Sequence, residues 1–123
     1  MKFCFIDSCI VIDYINAKLP LTQKQLDSCC FNSIVDMEVL VGANDKRDLN
    51  TINKKLSEFT SVDINQNILT LARALMNKYS LSHNMGIYDA IIAATCLVYE
   101  LPLWTYNKKD FRFINGLELI DGC

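Results

Sequence analysis

The sequence predicts an α/β fold built on a short parallel sheet. Three observations carry that reading. Short apolar runs alternate with segments of helical periodicity. The first run, at the N-terminus, is almost continuously apolar, as strands buried on both faces are. Acidic residues follow two of the strand-like runs, at the carboxyl ends of strands where open parallel sheets place their ligands. At 123 residues the chain can bury a sizeable core, and residues 1–123 read as one domain, without linker, repeat or low-complexity tract.

Lys2 to Ile6 is the first strand, rich in Phe. Asp7-Ser8 then caps a short helix carrying Ile10, Val11, Ile12, Tyr14 and Ile15, which is over by Pro20. Residues 21–30 are more polar and read as a second short helix or a loop. Ser33 is the expected N-cap of the next helix, with Asp36 in its first turn near the positive dipole end. In that helix Ile34, Met37, Glu38 and Val41 fall at i, i+3, i+4 and i+7, so Glu38 lies along the apolar stripe. Gly42 and Asn44 supply the stop.

Leu49, Ile52 and Leu56 are spaced for an exposed amphipathic helix, a possible partner surface. Phe59 to Val62 fits a second short strand. Asn65 opens a strong helix whose stripe is Ile68, Leu71, Ala72, Leu75, Met76 and Tyr79. Gly86 breaks the chain before a helix over Ile87 to Val98. Leu101 to Thr105 is a strand with Pro102 at its start or on an edge. A last strand occupies Leu117 to Ile120.

Composition excludes several function classes. Half the residues are hydrophobic (51%) and 21% are charged, which excludes a disordered chain. The net charge of −2 gives no global basic signature, so any nucleic-acid contact must come from local patches. The six cysteines include no C-x2-C pair, and two lie in apolar runs as buried free thiols do. A zinc site from Cys4, Cys9 and the vicinal Cys29-Cys30 fits the usual ligand spacings poorly. With Asp7 interrupting the N-terminal run, there is no signal peptide, and the reading is a reducing, cytoplasmic compartment. No apolar run reaches the ~20 residues of a membrane span.

The chemistry lies in four acids. Asp89 stands alone in the otherwise almost wholly apolar run 87–98, and a carboxylate taken into a core needs compensation. Asp7 ends the first strand, Glu38 sits in an apolar helix, and Asp110 follows the Trp104 strand. Each has a plainer explanation. Asp89 can be a helix cap or a salt-bridge partner, Asp7 a simple N-cap, Glu38 a side chain snorkelling out of a wide apolar face, Asp110 a loop acid. Together, four carboxylates from four core elements suggest a divalent-metal site. Clustered carboxylates repel, and Mg²⁺ or Mn²⁺ relieves that repulsion through oxygen ligation. Such an ion serves phosphodiester cleavage by activating water, offsetting phosphate charge and orienting attack. Lone His83 is read as a loop residue, and no P-loop or Ser/Cys triad offers another nucleophile. Asp13, on a different face from Asp7, is read as a surface or salt-bridge residue, and Asp36 as a helix-dipole residue. Lys108, Lys109 and Arg112 flank Asp110 as a solvated face or an RNA-phosphate contact. Trp104 and Phe111 are read as core.

Four stretches occur in a recognisable order: Phe5-Ile6-Asp7-Ser8, residues 33–42 around Glu38, residues 88–95 opening Tyr88-Asp89, and residues 104–111 ending Asp110-Phe111. With these the chain resembles a PIN-domain ribonuclease of the VapC toxin type, over nearly its whole length. The last stretch is close to the family's T-x-N-x-x-D-F signature. The resemblance implies a PIN-like three-layer α/β/α fold and a metal-dependent endoribonuclease cutting structured RNA, often transfer RNA. It implies that Asp7, Glu38, Asp89 and Asp110 hold Mg²⁺ or Mn²⁺, with Thr105 and Asn107 supporting the site. It also implies a homodimer silenced by a cognate antitoxin. Position 9 departs from the family, which has Ser, Thr or Asn there; Cys9 is a weaker donor and favours a softer ion such as Mn²⁺. That departure supports the alternative, a catalytically impaired binding scaffold. A phosphatase of the haloacid-dehalogenase type is set aside, because it needs an Asp at position 9.

Overall fold

The computed structural model describes residues 3–123, so Lys2, expected to open the first strand, lies outside the described residues. Five short strands form one fully parallel sheet, with six helices around it. The strands are β1 (Cys4–Ile6), β2 (Cys29–Phe31), β3 (Thr60–Ser61), β4 (Leu103–Trp104) and β5 (Leu119–Ile120), in the order β3-β2-β1-β4-β5. The chain therefore winds outward from β1 in one direction, then returns to its other side through β4. The reversal between β1 and β4 is the switch point beside which open parallel sheets place their ligands. Registers pair Ile6 with Trp104 and Cys4 with Cys29.

The helices are α1 (Ser8–Ile15), α2 (Gln23–Ser28), α3 (Ser33–Val41), α4 (Lys46–Leu56), α5 (Gln66–His83) and α6 (Ile87–Val98). β1 is buried throughout, as its unbroken apolar character requires, and Pro102 accepts from the Phe5 N–H at 2.9 Å just before β4. α5 buries Ile68, Ala72, Leu75 and Tyr79 from its predicted stripe, and Asn65 caps it through the Ile68 N–H. Trp104 and Phe111 are core.

Four readings need correction. Residues 29–31 are a strand, β2, not part of a helix or loop; three residues carry too little periodicity to announce one. The N-cap of α3 is Asn32, not Ser33: its side-chain oxygen accepts from the Ile34 and Val35 N–H groups. The stripe Ile34-Met37-Glu38-Val41 is only half turned to the core, with Ile34 packed against it and a Glu38 oxygen buried. Val35 and Val39 face the core, while Met37 and Val41 are 52% and 84% exposed. α4 buries Ile52 and Leu56, so that stripe is largely spent on its own core and offers little partner surface.

The cysteines also differ from expectation. Cys4 and Cys123 are joined by a disulfide: the segment after β5 turns back past β4 to the start of β1, where the Cys123 sulfur also lies 3.5 Å from the Ser28 carbonyl oxygen. Cys9, Cys29, Cys30 and Cys96 are free. The bond closes a loop with a sequence separation of 119, which removes much of the unfolded chain's freedom. Urea denaturation of the wild type with and without reductant will show a stability loss of about 2–4 kcal/mol on reduction. Cys123→Ser will be insensitive to reductant; equal sensitivity in that variant would remove the bond from the account.

Candidate functional site

Asp7 follows β1 at the switch point and begins α1. It is 5% exposed, and both carboxylate oxygens are engaged. Oδ1 accepts the Ser8 N–H at 2.8 Å; Oδ2 accepts the Thr105 hydroxyl at 2.8 Å. Thr105 follows β4, is 1% exposed, and accepts the Asn107 backbone N–H at 3.0 Å. Its one proton is committed to Asp7, so the Cys9 thiol, 3.7 Å away, acts as the donor to Thr105. Burial, foremost, keeps Cys9 above the ordinary thiol range, and the nearby Asp7 charge adds to it. Asn107 thus acts on this network through its backbone; its side chain makes no cap to the following turn.

Glu38 lies in the middle of α3. Its Oε1 is buried and has no hydrogen-bond partner among the described residues. Burial raises its pKa, and the charges of Asp7 and Asp89 raise it further. Asp89 stands in the first turn of α6. Burial, then Asp7, then Asp110, push its carboxyl up to about 6. Asp110 ends the exposed 3-10 turn Lys108–Asp110 after β4. The four acids are therefore linked by mutual repulsion through Asp7 and Asp89. Among the described residues none of them takes part in an ion pair, whose members are Lys55–Glu58 and Lys108–Asp121. Nor do any three bring their oxygens within 4.8 Å of one another.

Three features were missed or misjudged from sequence. Asn32 is fully buried, and besides capping α3 it donates from Nδ2 to Thr95 of α6 at 3.0 Å. This bond ties the Glu38 helix to the Asp89 helix. The Asn32-Ser33 pair before an apolar helix was the available signal, but both residues are good caps. Asp13 accepts from the Tyr106 hydroxyl at 3.0 Å rather than from a cation. His83 ends α5 and stacks on Phe113 with ring centroids 4.1 Å apart, so it belongs to a packed cluster rather than a loop.

Beside Glu38 the exposed α3 strip lines a largely apolar cavity of about 170 Å³, formed by Ile34, Met37, Glu38, Val41 and Tyr88. At the start of α6, Gly86 provides no side-chain cap, so the first N–H groups of that helix remain available to an anion.

The donor set suits a hard divalent ion. It consists of carboxylates, one with an orphaned buried oxygen, and no protein cation competes for them among the described residues.

Comparison with known proteins gives a consistent picture. The PIN domain model matches residues 4–116. Ribonuclease VapC of Rickettsia bellii is 28% identical over 127 aligned positions, covering 94% of this chain and 92% of that protein. A toxin-antitoxin complex from Klebsiella pneumoniae superposes with a TM-score of 0.72 at 28% identity, over 93% of this chain and 94% of that one. DNA-bound VapBC from Salmonella typhimurium superposes over 100% of both chains with a TM-score of 0.81; at 23% identity that likeness concerns the fold alone.

Two outcomes follow from this geometry. A carboxyl with a higher pKa folded than unfolded favours folding when protonated, so metal-free protein loses stability as pH rises from 3.8 through about 6. Asp89→Asn, assayed in chelator by thermal melts, will melt on the order of a few degrees above wild type at pH above 6. The gap will close below the ordinary Asp range; a constant gap at all pH values would contradict the repulsion account. Thr105→Val leaves Asp7 Oδ2 and the Asn107 N–H without their partner and will lower stability by about 1–3 kcal/mol in denaturant titrations.

Proposed function

The chain belongs to the PIN-domain family, and from that membership we propose a ribonuclease: a metal-dependent endoribonuclease cleaving phosphodiester bonds in RNA, the toxin of a toxin–antitoxin pair. The observation that carries this reading is the buried, unpartnered Glu38 oxygen in the shared field of Asp7 and Asp89. The relatives named VapC ribonucleases and the solved toxin–antitoxin complex support it.

In this reading Asp7, Glu38, Asp89 and Asp110 hold Mg²⁺ or Mn²⁺. Bound there, the ion supplies an activated water and charge neutralisation at the scissile phosphate. The chain's own residues set the geometry. Ser8 and Thr105 fix the two oxygens of Asp7 and so hold its carboxylate in one orientation. Asn32 and Thr95 fix the spacing between the helices of Glu38 and Asp89. The uncapped start of α6 offers backbone N–H donors to phosphate oxygens. Lys109 and Arg112, exposed beside Asp110, add positive charge for the RNA backbone, while Lys108 is paired with Asp121. The substrate class is structured RNA, transfer RNA foremost.

A cognate antitoxin is the partner that fits the exposed strip of Met37, Val41 and Tyr88, with half-buried Ile34 at its base. Apolar surface bordering a charged pocket suits a protein that covers both. A homodimer and a cytoplasmic setting complete the proposal. Among the described residues, no helix is long and apolar enough to cross a membrane.

RNA cleavage by the purified chain tests the reading. Asp89→Asn and Glu38→Gln, with unchanged far-ultraviolet circular dichroism, will cut at least about a hundredfold more slowly. Chelator will stop the wild type, and added Mg²⁺ or Mn²⁺ will restore it. Wild-type rates in Asp89→Asn, or cutting that persists in chelator, would sink the nuclease. Calorimetric titration with Mn²⁺ addresses the other reading, in which Cys9 marks an impaired scaffold; no uptake at millimolar ion selects that scaffold.

A further inference from the structure

The acids do not use the other end of the sheet, where a second set of ligating side chains meets. Cys4 and Cys29 open β1 and β2 and are register partners across the parallel pair. Cys123, after β5, reaches the same point, and the three sulfurs lie within 4.8 Å of one another. Cys4 and Cys29 are 2% and 0% exposed. The zinc set read from sequence, with Cys9 and Cys30, is not the set that assembles; Cys9 lies at the Asp7 end instead. We propose that, once the Cys4–Cys123 bond is reduced, Cys4, Cys29 and Cys123 form a three-thiolate site for a soft d10 cation, Cu⁺ in preference to Zn²⁺.

A disulfide staple needs two cysteines; the third calls for its own explanation. Cys29 is fully buried, which keeps a bulky exchange partner from its sulfur. A bare cation is small enough to be held there and itself displaces the thiol protons. Thiolate sulfur selects copper(I) and zinc among biological cations. Zinc takes four ligands, and among the described residues no carboxylate, imidazole or further thiol joins the three sulfurs within that reach. A three-coordinate site therefore favours Cu⁺. The balance is simple. A dithiol reductant gives two electrons and two protons to the Cys4–Cys123 bond and becomes a disulfide itself. Ion uptake then releases the thiol protons to solvent. The oxidised bond and the loaded site exclude each other because they use the same two sulfurs.

The test uses the full chain, reduced with a non-chelating phosphine under anaerobic conditions and titrated with Cu⁺ against a coloured competing chelator. One ion per chain, a near-ultraviolet thiolate-to-metal band and a higher melting temperature are expected. Cys29→Ser will weaken uptake by more than the roughly 10–100-fold that loss of an outer-sphere partner costs. Cys9→Ser and Cys96→Ser will bind as the wild type does. Cys29→Ala, checked by circular dichroism, separates lost ligation from lost fold. Absence of uptake, uptake indifferent to both Cys29 variants, or tighter binding of Zn²⁺ than Cu⁺ would each overturn the proposal. None of these readouts involves RNA cleavage, so the outcome is independent of the nuclease reading.

Discussion

The rest of this structure depends on an excess of negative charge at the carboxyl ends of β1 and β4 that no described side chain neutralises. Asp7, Glu38 and Asp89 are partly or wholly removed from water, and the field of each is felt by another. Such an arrangement works against folding. It persists because the surrounding scaffold leaves these carboxylates little room to move apart. β1 is buried from end to end, Thr105 and Ser8 hold Asp7, and a fully buried asparagine locks α3 to α6. Repulsion of this kind is what a divalent cation would relieve in the proposed function.

The topology explains why four distant positions lie toward one end of the sheet. In the order β3-β2-β1-β4-β5, β1 is central and the chain leaves it in both directions. Asp7 extends β1, Thr105 extends its neighbour β4, and α3 and α6 start from the same end of the sheet. All strands are parallel, so every carboxyl end faces one way and the opposite rim is left for the amino ends. The acids lie toward the first rim, with Cys9 beside Asp7, and the Cys4, Cys29 and Cys123 sulfurs lie at the second. Two chemically opposed environments are thus kept apart by the thickness of a three-residue strand.

Much of this was legible in the sequence, for physical reasons that differ from element to element. The α5 stripe repeats over many turns and admits only one reading. Asp89 stood out because an isolated charge in an apolar run demands compensation. β2 was missed because Cys29-Cys30-Phe31 is too short to show a period. α3 has apolar residues on two faces, and pattern alone cannot say which is buried; Val35 and Val39 meet the core while Met37 and Val41 of the more conspicuous stripe meet solvent. Asn32 hid behind Ser33 because either residue can cap a helix. The pairing of Cys4 with Cys123 depends on the path of the last three residues after β5, which sequence spacing does not encode.

The bond between those two cysteines makes residues 4–123 a covalent ring. A protease cutting once at an exposed turn, such as the one near Asn84 with its left-handed backbone, would linearise that ring without releasing a fragment. The nicked molecule would keep its mass apart from one added water, and would migrate as a single species until a reductant parted the two pieces.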